Sequence, residues 1–160
     1  MALPEALVRE FEELVSHYPQ RRAALIPALH RCQEELGGWI SPQAMEDVAG
    51  FFELQPVEVY GVVTFYPMFR LQPPGEHVIG VCHNVSCMLR GAEDVIAQLC
   101  ELTGAPVGGT SKNKRFSLAR LECQGACANG PMLDMDGVYH EDLTAARVSE
   151  IVAEITGGLE

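Results

Sequence analysis

Two cysteine pairs limit what this chain can fold into. Cys82 and Cys87 stand five positions apart in "VCHNVSC", and Cys123 and Cys127 stand four apart in "ECQGAC". Each pair follows a stretch that reads as a β-strand: "HVIGV" before the first, the alternating "RFSLAR" before the second. Strand ends in one small sheet can lie side by side. Two loops can then face each other and bring four thiols around a void a few ångströms wide.

The spacing discriminates among the groups such a set could hold. Structural zinc favours C-x2-C knuckles or C-x2-4-C with histidines. Gaps of four and three, with 35 residues between the pairs, fit it poorly. A dithiol oxidoreductase favours C-x-x-C, which is absent. Inert buried cysteines suit single thiols better than two loop pairs rich in glycine. A [2Fe–2S] cluster needs four thiolates, two per iron, and backbone N–H groups aimed at the sulfurs. Gly125, Ala126, Ala128 and Gly130 carry no bulk to block those amides. The helix after Cys87 is expected to turn its N-terminal end toward the site, where it would favour negative charge. His83 follows Cys82, but a mixed Cys/His cluster needs a second histidine, and none stands near Cys123. His83 therefore reads as a solvent-facing loop residue. Cys32 and Cys100 fall on apolar helix faces and read as core.

Charge and hydropathy bound the partners. The 160 residues carry a net charge of -11, which a phosphate backbone or an anionic membrane surface would repel, so nucleic acid is not an expected partner. The N-terminus has acids at Glu5, Glu10, Glu12 and Glu13 and does not read as a secretory signal. The most apolar run, residues 59–69, is interrupted by Pro67 and falls short of the ~20 residues a spanning helix needs. Direct membrane insertion is not expected, and the chain reads as cytoplasmic. In a reducing compartment, clustered cysteines bind metal or do redox work more often than they form disulfides.

The pattern changes midway. Four short helices are expected up to about residue 66. The first has Pro4 at its first position and Leu7, Phe11 and Leu14 on one face. The second covers 21–36, where Pro27 implies a kink or a start near residue 26. The third is capped by Ser41, and the fourth opens at Pro56. "LQPPGEH" is a linker. Beyond it come a strand, a helix at 91–104 with Val95, Ile96, Leu99 and Leu102 inward, a loop, a strand with Phe116 and Leu118 buried, a hairpin turning at Asp136-Gly137, and a last helix capped by Thr144. Residues 1–72 thus read as a helical bundle and 73–160 as a β-α-β-β-α domain, an α+β chain. Glu93, Asp94 and Glu101 fall on a solvated helix face. Lys112, Lys114 and Arg115 form a basic loop that is solvated or docks a partner.

"GVVTFYPMFRLQPPGEHVIGVCHNVSCMLRGAEDVI" followed by "ECQGACANGPML" resembles the family of thioredoxin-like [2Fe–2S] subunits of NADH:quinone oxidoreductase, respiratory complex I. The resemblance extends to "LHRCQEELGGWI" and "GVYHEDLT", so it covers nearly the whole chain. It implies a thioredoxin-like domain behind the bundle and one [2Fe–2S] cluster held by Cys82, Cys87, Cys123 and Cys127. It also implies a flavoprotein partner that carries FMN and the NADH site, in a complex peripheral to the membrane on its cytoplasmic side. The chain would then act as an oxidoreductase subunit without a complete active site of its own. That agrees with the lack of a G-x-G-x-x-G fingerprint for NAD or FMN. Related subunits of NAD-linked formate dehydrogenases and hydrogenases share the motif. A free-standing thioredoxin-fold ferredoxin and a zinc-stabilised interaction module are the other readings. The helical extension, which a minimal shuttle does not need, argues against the free-standing ferredoxin. Two stretches depart from the family: Gly130-Pro131 stands where many relatives have Ala-Pro, a change expected to loosen the loop, and "TSKNKRFSL" replaces an acidic, glycine-containing turn. The apolar run with Phe65 and Phe69 is expected to face the flavoprotein.

Overall fold

The computed structural model describes residues 3–157, which divide between Pro73 and Pro74 into two compact units. The first is helical: α1 (Glu5–Ser16), α2 (Leu25–Glu35), α3 (Pro42–Phe52) and α4 (Pro56–Phe65). Pro4 is the residue before α1 rather than its first turn, with ψ 140°. Residues Arg21–Ala24 form a separate 3-10 turn, and α2 starts at Leu25. Pro27 therefore falls in the first helical turn, where its missing N–H leaves no bond unmade. Ser41 caps α3 by accepting from Ala44 N at 3.1 Å. Glu58 Oε2 accepts from Gln55 N at 3.0 Å and tightens the start of α4.

The core of this unit gathers Leu7, Phe11, Leu29, Ile40, Val48 and Val59, all essentially solvent-free. Phe11 meets Phe51 edge-on with ring centroids 5.2 Å apart, and the Arg21 guanidinium covers the outer Phe51 ring. Buried Gln33 is satisfied at both ends, donating to Met68 O and accepting from Arg70 N. These bonds tie residues 68–70 to α2, and Phe69 is buried with them at 6% exposure. Phe69 was expected on a partner face and is instead core. Phe65, 77% exposed, is not.

The second unit is a mixed five-stranded sheet in the order β2-β3-β1-β4-β5. Its strands are β1 (His77–Cys82), β2 (Gly109–Thr110), β3 (Phe116–Leu121), β4 (Leu133–Met135) and β5 (Val138–His140). Its helices are α5 (Val85–Leu89), α6 (Ala92–Thr103) and α7 (Ala145–Thr156). β1 and β3 run parallel, with His77 opposite Phe116 and Cys82 opposite Leu121. The other pairings are antiparallel. The β4–β5 turn is Asp136-Gly137, both at positive φ as a two-residue hairpin turn requires. Thr144 caps α7 by accepting from Arg147 N.

The sheet side chains Ile79, Val81, Phe116, Leu118 and Leu133 pack with Val95, Ile96 and Leu99 of α6 and Val148, Ile151 and Val152 of α7. Leu102, expected inward, is exposed; Thr103 is buried in its place and donates to Leu99 O at 2.6 Å. Leu121 lies over Gly80, where a Cβ would stand 2.3 Å from Leu121 Cδ1. β2 was expected as loop: two residues pairing with β3 carry no periodicity of their own.

Candidate metal centre

The register of β1 and β3 brings the cysteine pairs together. Cys82 is the last residue of β1, directly across from Leu121, the last of β3, and Cys123 follows two residues later. Parallel neighbours in register end at the same edge, so both pairs leave the sheet on one side. Cys87 lies within α5, a five-residue helix that turns the chain back after β1. This corrects the expectation of a loop at Cys87; the next helix, α6, opens at Ala92, behind Gly91. Cys127 opens a 3-10 turn, Cys127–Asn129, after a loop in which Gly125 takes φ 83°. An L side chain there would be strained.

Within the second pair, Cys123 Sγ and Cys127 Sγ are 3.6 Å apart. Cys82 and Cys87 lie close enough for the Cys82 thiol to act on Cys87, and Cys127 is close enough to feel both Cys87 and Cys82. Burial, then the neighbouring Cys82 thiol, pushes Cys87 above the ordinary thiol range; the Met132 N–H pulls the other way. The Cys123 thiol raises Cys127, and a hydrogen bond with Ser86 opposes it. Thiols gathered this closely can exchange their protons for a bound cation.

Cys82 and Cys87 are buried, whereas Cys123 and Cys127 are exposed. Among the described residues, no three His, Cys, Asp or Glu side chains converge on a single ion position. The donors come as two pairs of sulfur. That suits two irons with two thiolates each rather than one tetrahedral ion. Gly130 is buried against the site: a Cβ there would stand 3.0 Å from Cys87 Sγ. The missing side chain leaves room beside the Cys87 sulfur. The donor set and its cradle fit a [2Fe–2S] group.

His83 is half-buried, and its Nε2 lies 3.9 Å from Glu122 Oε1. Cys32 is buried in the helical unit, and Cys100, partly exposed, packs against the core of the second. Arg115 belongs to its own unit rather than to a docking patch: Nη2 donates to Ile155 O, and its chain is three-quarters buried.

Sequence reasoning missed the residues that fix the ligand loop. Met132 accepts from Cys82 N through its carbonyl at 3.2 Å, and its N–H acts on the Cys87 thiol to oppose the upward shift. Arg90 Nη1 donates to Ala128 O at 2.7 Å. Tyr139 OH donates to Gln124 Oε1 at 3.0 Å, and Asn129 Nδ2 donates to Glu141 Oε2 at 2.9 Å. These are backbone or long-range bonds with no local pattern. The one available signal was the closeness of "ANGPM" to the last cysteine.

Known proteins match this arrangement. The family model described as thioredoxin-like [2Fe–2S] ferredoxin matches residues 11–156. An NADH-quinone oxidoreductase subunit of Rickettsia bellii is 36% identical over 146 residues, covering 90% of this chain and 87% of that protein. The mitochondrial NADH dehydrogenase [ubiquinone] flavoprotein 2 of Dictyostelium discoideum is 38% identical over 90% of this chain, which spans only 59% of that protein. Among solved structures, the air-oxidised NAD+-reducing [NiFe]-hydrogenase superposes with a TM-score of 0.72 at 24% identity, covering 85% of this chain and 23% of the hydrogenase chain. That likeness is one of fold. The family match over most of the chain leads to one conclusion: the chain belongs to the thioredoxin-like [2Fe–2S] ferredoxin family, and a [2Fe–2S] cluster is its cofactor.

Proposed function

We propose that this chain is a one-electron carrier, the thioredoxin-like [2Fe–2S] subunit of an NADH:quinone oxidoreductase, with Cys82, Cys87, Cys123 and Cys127 as cluster ligands. The observation that carries the reading is the pairing of one buried and one exposed thiol couple at the shared end of β1 and β3. When bound, a [2Fe–2S] cluster takes up and returns one electron. The chain's own part is to supply four thiolates, to let the Met132 N–H act on the Cys87 thiol, and to keep Cys82 and Cys87 away from water. The exposed Cys123–Cys127 side is where an electron donor would approach.

FMN and the NADH site belong to a flavoprotein partner, and the assembly is peripheral to the membrane on its cytoplasmic side. The support is the likeness to the Rickettsia protein over most of both chains. Among the described residues, no helix is long and apolar enough to cross a membrane. The helical segment 1–72 acts as a docking domain and 73–160 as the cluster domain. Val57, Tyr60, Phe65 and Met68 expose apolar surface on and just beyond α4, and we assign that face to the flavoprotein. A second reading, the corresponding component of an NAD-linked hydrogenase or formate dehydrogenase, rests on the hydrogenase-like fold.

The test is native purification with identification of the attached chains. A flavoprotein together with quinone-reducing subunits supports the first reading. A hydrogenase or formate dehydrogenase component in their place supports the second. A lone chain that keeps its colour and its electron-transfer competence points to a free-standing ferredoxin and overturns both.

A further inference from the structure

Arg90 is the last residue before Gly91 and α6, three positions after Cys87. Its backbone N–H donates to Cys87 O at 3.1 Å. Its side chain reaches across to the other ligand segment, where Nη1 donates to Ala128 O at 2.7 Å, next to Cys127. One residue therefore binds the segments of both cysteine pairs. The side chain does not serve α5 as a cap, because its acceptor lies outside that helix.

Its charge is also uncommitted. Arg22, Arg31, Arg115, Arg120 and Arg147 each stand within 4 Å of a carboxylate, but among the described residues Arg90 makes no ion pair. The guanidinium is held against the Cys127 segment, where a thiolate set holding iron would be negative. That set gains an additional unit of negative charge on reduction, and a nearby cation stabilises that state most.

We propose that Arg90 is a positioning residue for the metal centre, clasping the Cys87 and Cys127 segments together and holding a positive charge that favours the reduced cluster. The proposal rests on the ligand assignment given under Proposed function. Because Arg90 is exposed, its field is screened by salt.

The test compares the wild-type full-length holoprotein with Arg90→Gln and Arg90→Lys. It reads iron and acid-labile sulfide content, then the reduction potential at low and high ionic strength. Arg90→Gln is expected to keep its cluster and to shift the reduced-to-oxidised ratio at fixed potential several-fold toward oxidised. The shift should shrink in high salt. Arg90→Lys keeps a charge that can still reach Ala128 O and should return most of the way. Should Arg90→Gln fail to hold a cluster while Arg90→Lys holds one, the bond to Ala128 O alone accounts for the loss and the charge role is overturned. A wild-type potential in Arg90→Gln, an equal shift in both variants, or loss of the cluster in both overturns the charge role and leaves a plain structural strut. A wild-type protein without labile sulfide defeats the ligand assignment instead, whatever Arg90 does.

Discussion

Six cysteines fall into two classes by position alone. Replacing Cys82, Cys87, Cys123 or Cys127 with Ala removes one thiolate from a pair and should bleach the visible absorbance of the oxidised protein. Replacing Cys32 or Cys100 should leave the colour intact and cost on the order of 1 kcal/mol in packing. Retained colour in Cys123→Ala beside bleaching in Cys100→Ala would reverse the assignment. Cys32 has a second signature. Burial first, with the Asp47 carboxylate, pushes its thiol up to about 11. Unfolded, it would ionise near ~8.5. The folded chain therefore keeps a proton that the unfolded chain releases. The thiol's contribution to stability is complete below the unfolded value and is lost as pH rises toward about 11, by roughly 3 kcal/mol. Melting curves of Cys32→Ala should show a shallower alkaline decline than wild type across that window; identical declines would mean that the buried thiol does not couple to folding. At this scale the candidate ligands were legible because cysteine spacing is itself a chemical constraint. Met132 and Arg90 were not, since a backbone amide and an arginine outside any motif announce nothing in a sequence.

Among the elements, the helices with caps were the readable ones. Ser41 and Thr144 accept from the backbone N–H groups of Ala44 and Arg147, as their positions before apolar periodic runs implied. Ser41→Ala or Thr144→Ala should each destabilise its own unit by about 1 kcal/mol, read as a lower melting temperature. No loss in either would show that packing alone holds those helix starts. Two short elements escaped notice. α5 has five residues and β2 two, too few for any period to emerge. Leu102 misled because an apolar residue at helical spacing need not meet the core at the end of a helix, where the buried stripe has moved on to Thr103. The end of α4 divides an expectation in two. Phe65→Glu should weaken binding to the flavoprotein while the cluster stays. Phe69→Glu buries a charge and should cost several kcal/mol of stability instead. Equal binding by Phe65→Glu and wild type in a pull-down would remove α4 from the interface.

At the scale of the whole molecule, the succession strand, helix, strand, hairpin, helix was readable, but strand neighbours were not. That β1 pairs with β3 in parallel and with β4 in antiparallel sense follows from contacts far apart in the chain. The pairing is nonetheless what the cysteines demanded: two thiol pairs can share one group only if their strands end at the same edge. The net charge of -11 weighs against anionic partners but names none. The central claim is that these four thiols hold a two-iron cluster. Iron and acid-labile sulfide assayed together on anaerobically purified protein test it most directly. About two irons and two sulfides per chain are expected, lost together when Cys87 is replaced by Ala. Zinc without sulfide, or iron that survives the loss of Cys87 undiminished, would contradict it.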